Sequence, residues 1–478
     1  MTNILLATDS YKHSHYLQYP PGTLYVSSYI EARGDAKKDG KVVFFGVQSF
    51  IQDYLSKPFT QADIDEAEEL ITAHGLPFNR EGWEYILNRH NGYLPIEIEA
   101  LGEGTVVERG IPLVQVRNTD PLVPWLTSFI ETALLRAVWY GTSVATLSFA
   151  AKVVIYDALV ASSDNPEAGL PFKLHDFGGR GASSGESAGL GGMAHLVNFQ
   201  GTDTIEALVA VRRVYDDKKV VAGFSLPASE HSTMTSWSRA GEGDAYANMI
   251  AKFGGGLFSI VSDSYDLFAA LEDIYGTALK DDILKIDGKL IVRPDSGDPV
   301  ATPIKVLEAL WRKFGGTVNS KGFKVLHEKI GVIQGDGMNF ESISRLCRTL
   351  ITNGWSLDNI AFGMGGGLLQ AHKRDDLNFA MKCNAIDVGN GWQDVQKKPA
   401  TDPAKASKAG RQAVVGTMES GFTAMKDDDE PEVAFHNRFE TRYANGTIWP
   451  ANFAEVRARA HKGMLLTHQE LSALREAA

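Results

Sequence analysis

Short apolar runs that stop abruptly at turns recur between Lys173 and Leu369, and they constrain the fold of this chain more than any other feature. Each turn contains Gly, Asp, His or Arg, and a polar or amphipathic stretch follows it. Apolar runs that return roughly every 25 to 40 residues are typical of buried parallel strands joined by helices. The predicted strands include residues 174, 196–199, 224–226, 260–261, 291–292, 332–333 and 360–362. Because the loops after parallel strands carry the chemistry of α/β barrels and open α/β sheets, the pattern predicts one site built from dispersed segments.

Composition and charge limit the class of protein. The chain has 478 residues, a length that predicts about two or three domains. Its net charge of -12 argues against a nucleic-acid partner, because contact with a phosphate backbone needs a basic face. Cys347 and Cys383 are too few for a disulfide framework or a CxxC metal site, which favours a reducing cytoplasmic location.

No membrane association is expected from the apolar segments. The longest uncharged apolar stretch, residues 137–151, is shorter than a membrane span and contains Gly141. It predicts a buried pair of helices. The apolar residues 4–7 are too short a stretch for a signal peptide.

The first third of the chain differs from the rest in its periodicity. Thr60, residues 62–74 and Gly75 form the pattern of a capped surface helix. Residues 95–116 alternate and are interrupted by glycines, which predicts an antiparallel meander. This third is therefore predicted to be α+β, whereas residues 171–370 follow a strand–turn–helix rhythm.

A glycine-rich turn at residues 363–367 follows an apolar strand and precedes a predicted helix start. Glycines let backbone N–H groups approach an anion closely, and a helix N-terminus adds partial positive charge. Arg374 lies further along the same segment and favours phosphate, because a guanidinium can bind it with two donors. A tight turn without a ligand is the alternative.

Two further turns, at residues 293–297 and 335–337, each place an aspartate beside glycine at a strand end. Asp295 and Asp336 could each accept hydrogen bonds from adjacent sugar hydroxyls, while neighbouring amides face a phosphate. A ribose phosphate would satisfy both turns. Local turn capping by Asp is the alternative.

Covalent chemistry is predicted at Glu230-His231-Ser232, where Asp263 at the end of the next strand could orient the imidazole. A structural histidine is the alternative. Phe177 lies in a polar, glycine-flanked turn, which favours stacking on a planar ligand over a place in the core.

These segments, together with residues 6–12, closely resemble the nicotinamide phosphoribosyltransferases, which are type II phosphoribosyltransferases. The similarity covers nearly the whole chain and is densest at residues 174–203, 225–232, 261–266, 291–299, 332–337 and 360–374. The resemblance implies an irregular α/β-barrel plus an α+β domain with antiparallel strands. It implies an N-terminal domain over residues 1–160, a barrel domain carrying the active site over 161–384, and a C-terminal segment, 385–478, that packs on the N-terminal domain.

The resemblance also implies a reaction. The family joins nicotinamide to 5-phosphoribosyl 1-pyrophosphate (PRPP), which gives nicotinamide mononucleotide (NMN) and pyrophosphate for NAD biosynthesis. It uses Mg2+, held mainly by pyrophosphate oxygens, and can couple the reaction to ATP hydrolysis through a phosphohistidine. The family forms homodimers whose active sites are shared between subunits.

Site residues follow from the resemblance position by position. The residues implied in catalysis are His231, Asp263, Asp295 and Glu230. Nicotinamide would be bound by Phe177, Asp203, Arg180 and, from the second subunit, Tyr11. PRPP and NMN would be bound by Arg180, Arg293, Asp295, Gly335, Asp336, Gly365, Gly366 and Arg374. Pyrophosphate or ATP would be bound by Lys382, Lys397, Lys405 and, from the second subunit, Arg33.

Two alternatives concern the activity. Nicotinate phosphoribosyltransferases share the architecture, but Asp203 would repel the carboxylate of nicotinate and accept from the amide of nicotinamide. The second alternative is a non-catalytic ligand-binding protein on the same scaffold. Two positions depart from the family: Gly179 replaces a larger side chain, and Met364 stands where a small Ser is common.

Overall fold

The computed structural model describes residues 3–35, 39–215, 221–401, 406–427 and 431–476. The chain divides into two compact units. The first unit comprises Met1–Thr146, Ala210–Lys218 and His372–Gln469, and the second comprises Leu147–Val209, Lys219–Ala371 and Glu470–Ala478. The domain boundaries predicted at residues 160 and 384 stay predictions.

Both units contain helices and strands. The strands are β1 Tyr25–Ala32, β2 Lys41–Val43, β3 Ile96–Ala100, β4 Val106–Glu108, β5 Pro112–Asn118, β6 Leu174–Asp176, β7 Gly201–Thr202, β8 Leu257–Val261, β9 Lys289–Arg293, β10 Gly316–Val318, β11 Lys324–Leu326, β12 Ile330–Gln334, β13 Ile360–Met364, β14 Phe379–Asp387, β15 Trp392–Asp394, β16 Gln412–Thr417, β17 Gly421–Lys426, β18 Glu440–Ala444 and β19 Thr447–Ile448. The α-helices are α1 Val47–Phe50, α2 Gln61–Ala73, α3 Arg80–Arg89, α4 Leu126–Phe129, α5 Glu131–Ser162, α6 Gly185–His195, α7 Ile205–Val214, α8 His231–Thr235, α9 Glu242–Phe253, α10 Leu267–Ala269, α11 Lys280–Lys285, α12 Ala301–Phe314, α13 Phe340–Thr352, α14 Gly366–Leu369, α15 Pro431–His436 and α16 Phe453–Glu476.

The second unit is built on a parallel sheet whose strand order is β7-β6-β13-β12-β9-β8. Its strands are short, and β8, β9, β12 and β13 are mostly apolar, as expected for strands buried on both faces. The segment 224–228 joins the two edges, because Phe224 forms a parallel bridge with Gly201 of β7 and Ala228 forms one with Ser259 of β8. The sheet is therefore curled, and all its strands send their carboxyl ends to the same side.

Two predicted strands differ from the structure. Residues 196–199 form no strand; the backbone continues the turns of α6, with Leu196 N donating to Gly192 O at 3.0 Å and Phe199 N to His195 O at 3.2 Å. The strand that follows is only Gly201–Thr202. Residues 224–226 contribute one isolated bridge, at Phe224, rather than a regular strand. Apolar composition alone does not separate a buried helix end from a buried strand.

The first unit contains an antiparallel sheet of order β15-β14-β1-β5-β3-β18-β19. The predicted meander is only partly correct, since β3 and β5 pair with each other but β4 pairs with β2. The turn before β4 explains this pairing. The buried carboxylate of Glu103 accepts from the amides of Gly46 at 2.7 Å and Gln48 at 3.2 Å, and Gly104 N donates to Phe44 O at 2.8 Å.

The predicted pair of buried helices is wrong, because one helix, α5, occupies this stretch. It runs unbroken for 32 residues, and Gly141 permits a close approach, because a Cβ there would lie 3.2 Å from the ring of Phe45. By length and composition α5 could cross a membrane, and 61% of its apolar stretch is buried within the protein.

Candidate active site

The carboxyl ends of the parallel strands in the second unit carry most of the predicted site residues. Phe177 follows β6, Asp203 follows β7, His231 begins α8 after the bridging segment, Asp263 follows β8, Arg293 ends β9, Asp295 follows it, Gly335 and Asp336 follow β12, and Gly365 and Gly366 follow β13. In parallel sheets this is the edge where ligands bind.

His231 lies between two carboxylates. Its Nε2 is 2.9 Å from Asp263 Oδ1, a hydrogen bond, and its Nδ1 is 3.7 Å from Asp295 Oδ2, which is longer than a hydrogen bond. The Asp263 side chain is 5% exposed, whereas that of His231 is 43% exposed. A buried carboxylate therefore orients an accessible imidazole, and the Nδ1 edge is left open.

The second oxygen of Asp263 ties β8 to the turn after β9. Oδ2 accepts from Asp295 N at 3.2 Å and from Ser296 Oγ at 2.5 Å. The sequence had not singled out Ser296, although it stands in the predicted ribose-phosphate turn. Asp263 thus positions both the imidazole and Asp295.

Arg293 offers an unsatisfied donor at the same edge. Its Nη2 donates to Ser229 O at 3.1 Å, while its Nε is buried without a hydrogen-bond partner and lies 3.9 Å from Asp295 Oδ1. A buried N–H without an acceptor is uncommon in proteins. This guanidinium therefore suits an anionic ligand.

Glu230 is engaged in helix capping. It forms a capping box with Thr233 at the start of α8, and Ser232 Oγ donates to its carboxylate. Its described hydrogen bonds are local, and none of them is to the imidazole of His231.

The ring of Phe177 packs over glycine backbone. A Cβ on Gly363 would lie 2.0 Å from the ring, and one on Gly335 would lie 3.1 Å from it. Phe177 is half-buried, and its N donates to Met364 O at 3.0 Å. One side of the ring therefore rests on two strand ends.

Asp203 presents an exposed carboxylate that accepts from Ser225 Oγ at 2.5 Å. Ser225, which lies in the bridging segment, was another partner that the sequence had not singled out. Asp336 is also exposed, at the turn after β12. Both carboxylates have oxygen atoms open to solvent.

The glycine-rich turn leads into α14, a helix of only four residues. A Cβ on Gly366 would meet no atom within 4 Å, so this face of the turn is open. The exposed Arg180 lies in a neighbouring turn, since a Cβ on Gly181 would be 3.4 Å from Gly366 Cα.

The structure also locates the two departures from the family. A Cβ on Gly179 would lie 3.0 Å from Thr204 Oγ1, so a larger side chain there requires Thr204 to move. Met364 is fully buried.

The remaining predicted residues belong to the first unit, where several cations are close together. Burial lowers the pKa of Lys382, and neighbouring cations lower it further against the opposing charge of Glu131. Those cations are Arg33, Lys397 and Arg374. We name these four basic side chains the cation cluster.

Two of its members have partners within the unit. Arg33 Nε donates to Asn378 O at 3.1 Å, and Arg374 donates twice to Asp375, at 3.1 and 2.9 Å. Lys405 lies outside the described residues. Tyr11, on the 3-10 helix Ser10–Leu17, is 57% exposed.

Comparison with known proteins identifies the family. The chain matches the model of the Nicotinate phosphoribosyltransferase (NAPRTase) family over residues 172–446 and that of the Nicotinamide phosphoribosyltransferase N-terminal domain over residues 3–98. It is 48% identical over 477 residues to a nicotinamide phosphoribosyltransferase of Xanthomonas campestris pv. campestris (strain 8004), covering 97% of this chain and 99% of that one. It is 32% identical to the enzyme of the same name from Acinetobacter baylyi (strain ATCC 33305 / BD413 / ADP1), covering 96% and 97%.

Solved structures confirm the predicted fold class. The nicotinate-nucleotide pyrophosphorylase of Pyrococcus furiosus matches with a TM-score of 0.63 at 14% identity, covering 97% of this chain and 96% of that one. Human nicotinic acid phosphoribosyltransferase matches with a TM-score of 0.62 at 17% identity, covering 96% and 93%. Since the family model spans more than half of the chain and the relatives span nearly all of it, the chain belongs to the nicotinate phosphoribosyltransferase family, in its nicotinamide phosphoribosyltransferase branch.

Proposed function

We propose that this protein transfers the phosphoribosyl group of PRPP to nicotinamide, forming NMN and pyrophosphate in NAD biosynthesis. The observation that carries the proposal is the gathering of Phe177, Asp203, His231, Asp263 and Arg293 at one edge of one parallel sheet. The relationship to nicotinamide phosphoribosyltransferases over almost the whole chain supports it.

Nicotinamide recognition is assigned to Phe177 and Asp203. The exposed side of the Phe177 ring would stack on the pyridine, and aromatic stacking on a base is worth ~1–3 kcal/mol. The open carboxylate oxygen of Asp203 would accept from the carboxamide NH2. Nicotinate would instead bring a second negative charge against Asp203, which disfavours its binding.

The phosphoribosyl transfer depends on charge and position. As pyrophosphate leaves, the ribose C1 gains positive character and the leaving group gains negative charge, which the unsatisfied donor of Arg293 can stabilise. Asp295 and Asp336 would accept from ribose hydroxyls, while Arg180, Gly335, Gly365 and Gly366 would surround the phosphate. The neutral pyridine nitrogen attacks directly, so no general base is needed.

Magnesium is proposed to arrive with the pyrophosphate group of PRPP. Within the described residues, no group of three or more His, Cys, Asp or Glu side chains could hold a metal ion. Mg2+ commonly relies on substrate phosphates and one or two carboxylates rather than a protein cage, so the residues present fit this arrangement. The bound ion would neutralise charge on the leaving group.

ATP coupling is proposed to proceed through His231. With Nε2 bonded to Asp263, Nδ1 is the nitrogen open for attack on the terminal phosphorus of ATP, and ADP is the leaving group. Lys382, Lys397, Lys405 and Arg374 would bind pyrophosphate or ATP phosphates together with Arg33 of the second subunit, because guanidinium and ammonium groups favour anions. We further propose a cytoplasmic homodimer in which Tyr11 and Arg33 serve the site of the other subunit.

Product analysis tests the reaction. The purified protein is incubated with PRPP, Mg2+ and either nicotinamide or nicotinate, and each mononucleotide is quantified. We expect NMN from nicotinamide to dominate, and Asp203→Asn to shift the preference toward nicotinate. Turnover of nicotinate with none of nicotinamide would identify the protein as a nicotinate phosphoribosyltransferase, and no turnover of either would favour a binding protein.

Radiolabelled ATP tests the phosphohistidine. Label from the terminal phosphate should appear on the protein as an acid-labile adduct and should be absent in His231→Asn. His74→Asn, at an exposed position after α2, is the matched control and should keep the label. Equal labelling of both variants, or no ATP stimulation of NMN formation, would contradict this part of the proposal.

A further inference from the structure

Asp176, the last residue of β6, is a buried carboxylate for which the proposed mechanism has no role. Its side chain is fully buried. Oδ1 accepts from Gly178 N at 2.7 Å, and Oδ2 accepts from Thr202 Oγ1 at 3.4 Å. One side chain therefore links the turn after β6 to the end of β7.

These bonds surround the two residues proposed to bind nicotinamide. Phe177 stands between Asp176 and Gly178, and the Asp176–Gly178 bond closes the turn that presents its ring. Asp203 stands between Thr202 and Thr204. Its N donates to the Asp176 carbonyl at 2.9 Å, and Thr204 N donates at 3.0 Å to the same Thr202 hydroxyl that contacts Asp176.

The carboxylate is retained at an energetic disadvantage. Burial raises the pKa of Asp176 to about 6, and the negative charge of Asp203 adds to the rise. A buried charge without a cation is unfavourable, and groups perturbed in this way concentrate at functional sites. The charge of Asp176 adds to the negative potential around the nearby Asp203 carboxylate.

We propose that Asp176 is a positioning and specificity residue that holds Phe177 and Asp203 in register and reinforces the rejection of nicotinate. This proposal rests on the proposed function for one point, namely that nicotinamide is the ligand. The geometric part concerns the two turns and holds for any ligand bound there.

Two variants and a control distinguish the positioning role of Asp176 from the effect of its charge. Thr202→Val keeps the volume and the Asp176 charge but removes the hydroxyl that donates to Asp176 Oδ2 and accepts from Thr204 N. Asp176→Asn nearly keeps the shape and can still accept from Gly178, but it removes the charge. Glu103→Gln is the matched control, because Glu103 is also a buried carboxylate that accepts backbone amides but belongs to the first unit, outside the proposed site.

Steady-state kinetics give the first readout. Thr202→Val should raise KM for nicotinamide on the order of 10-fold and leave KM for PRPP within about 2-fold, because small displacements of binding groups have large effects. Asp176→Asn should move the ratio of kcat/KM for nicotinamide to that for nicotinate toward nicotinate by roughly 10-fold. Glu103→Gln should alter neither the KM for nicotinamide nor the ratio of the two kcat/KM values. Kinetics of both variants that match the control would overturn the proposal.

Hydrogen exchange gives a readout independent of turnover. Thr202→Val should speed amide exchange in residues 176–179 and 201–205, whereas Glu103→Gln should not. Unchanged exchange in both segments would overturn the positioning role whatever the activity. If the wild type makes no NMN but Thr202→Val still speeds exchange there, the proposed function fails and the positioning role stands.

Discussion

Asp203, Arg293 and His231 each keep at least one polar atom without a described hydrogen bond. Asp203 accepts one described side-chain hydrogen bond, from Ser225, and Arg293 has a buried Nε with no hydrogen-bond acceptor. His231 uses Nε2 for Asp263 and leaves Nδ1 beyond hydrogen-bond distance of Asp295. The free positions are one carboxylate oxygen, one guanidinium N–H and one imidazole nitrogen, which are the groups that the proposed reaction requires.

The raised pKa of Asp176 predicts that the stability of the protein depends on pH. Because burial raises the pKa of Asp176 from 3.8 to about 6, the folded state retains a proton that the unfolded chain loses first. The stability that protonated Asp176 contributes is therefore fully present below pH 3.8, the pKa in the unfolded chain. It is lost as the pH rises through about 6, the pKa in the folded protein, and the loss in the free energy of unfolding should be about 3 kcal/mol. Urea unfolding at pH 4.5 and 7.5 should show that Asp176→Asn gains stability relative to the wild type at the higher pH; an equal difference at both pH values would contradict this.

Substitutions at two glycines should affect the KM values of the two substrates differently. Gly363→Ala places a Cβ against the Phe177 ring and should raise KM for nicotinamide on the order of 10-fold. Gly366→Ala places a Cβ in the open face of the proposed phosphate turn and should instead raise KM for PRPP. The control is Gly255→Ala, whose Cβ also meets open space but lies before β8. Equal effects of the first two variants on both KM values would argue against separate subsites.

At the scale of elements, local sequence predicted what local forces decide. Helix α2 begins with Thr60 as its N-cap in a capping box with Asp63, and Gly75 after it has a φ of 93°. Strands β8, β9, β12 and β13 also match the predicted apolar runs. The failures were the pairing of β4, the runs at residues 196–199 and 224–226, and the supposed helix pair in α5, where pairing or packing with distant residues decides the outcome.

A buried ion pair should stabilise an interior strand of the antiparallel sheet. Glu31 of β1 is 4% exposed and pairs with Lys408 at 2.5 Å, and Tyr29 Oη donates to Glu31 at 3.3 Å while accepting from Lys408 N at 2.8 Å. Lys408→Met leaves the carboxylate buried without its cation, which should lower the free energy of unfolding by ~2–4 kcal/mol. The measurement is urea unfolding.

The contrast for this prediction is Arg80→Met. Arg80 pairs with Asp65, Glu68 and Glu84 on an exposed surface, where solvent screening leaves ion pairs with little net contribution to stability. A similar loss in the two variants would show that burial does not set the strength of the Glu31–Lys408 pair.

At the scale of the whole molecule, net charge and local charge differ. The chain carries a net charge of -12, yet Arg33, Arg374, Lys382 and Lys397 lie close enough for three of them to lower the pKa of Lys382. Screening limits the effect of distant charges to about 10 Å at moderate salt, so a phosphate at the cluster would respond mainly to the nearby cations. An acidic protein can therefore bind polyanionic substrates.

The proposed homodimer with shared sites predicts complementation. Tyr11→Ala and Asp263→Asn chains should each form nearly inactive homodimers. Coexpressed with different tags and purified as heterodimers, they should regain activity, because one site then combines an intact Tyr11 with an intact Asp263. Heterodimers no more active than either homodimer, or a fully active monomer in sedimentation, would contradict shared sites.

Apolar periodicity, turn chemistry and motifs are local, so they were enough to predict the reactive residues, most of the parallel strands and the family that the chain resembles. How those residues meet became clear from the folded structure. It brought Ser296 to Asp263 across 33 positions and joined both edges of the sheet through the segment 224–228. It also revealed Asp176 as the link between Phe177 and Asp203. Such contacts depend on strand order and side-chain packing between segments far apart in the chain, which no local pattern specifies.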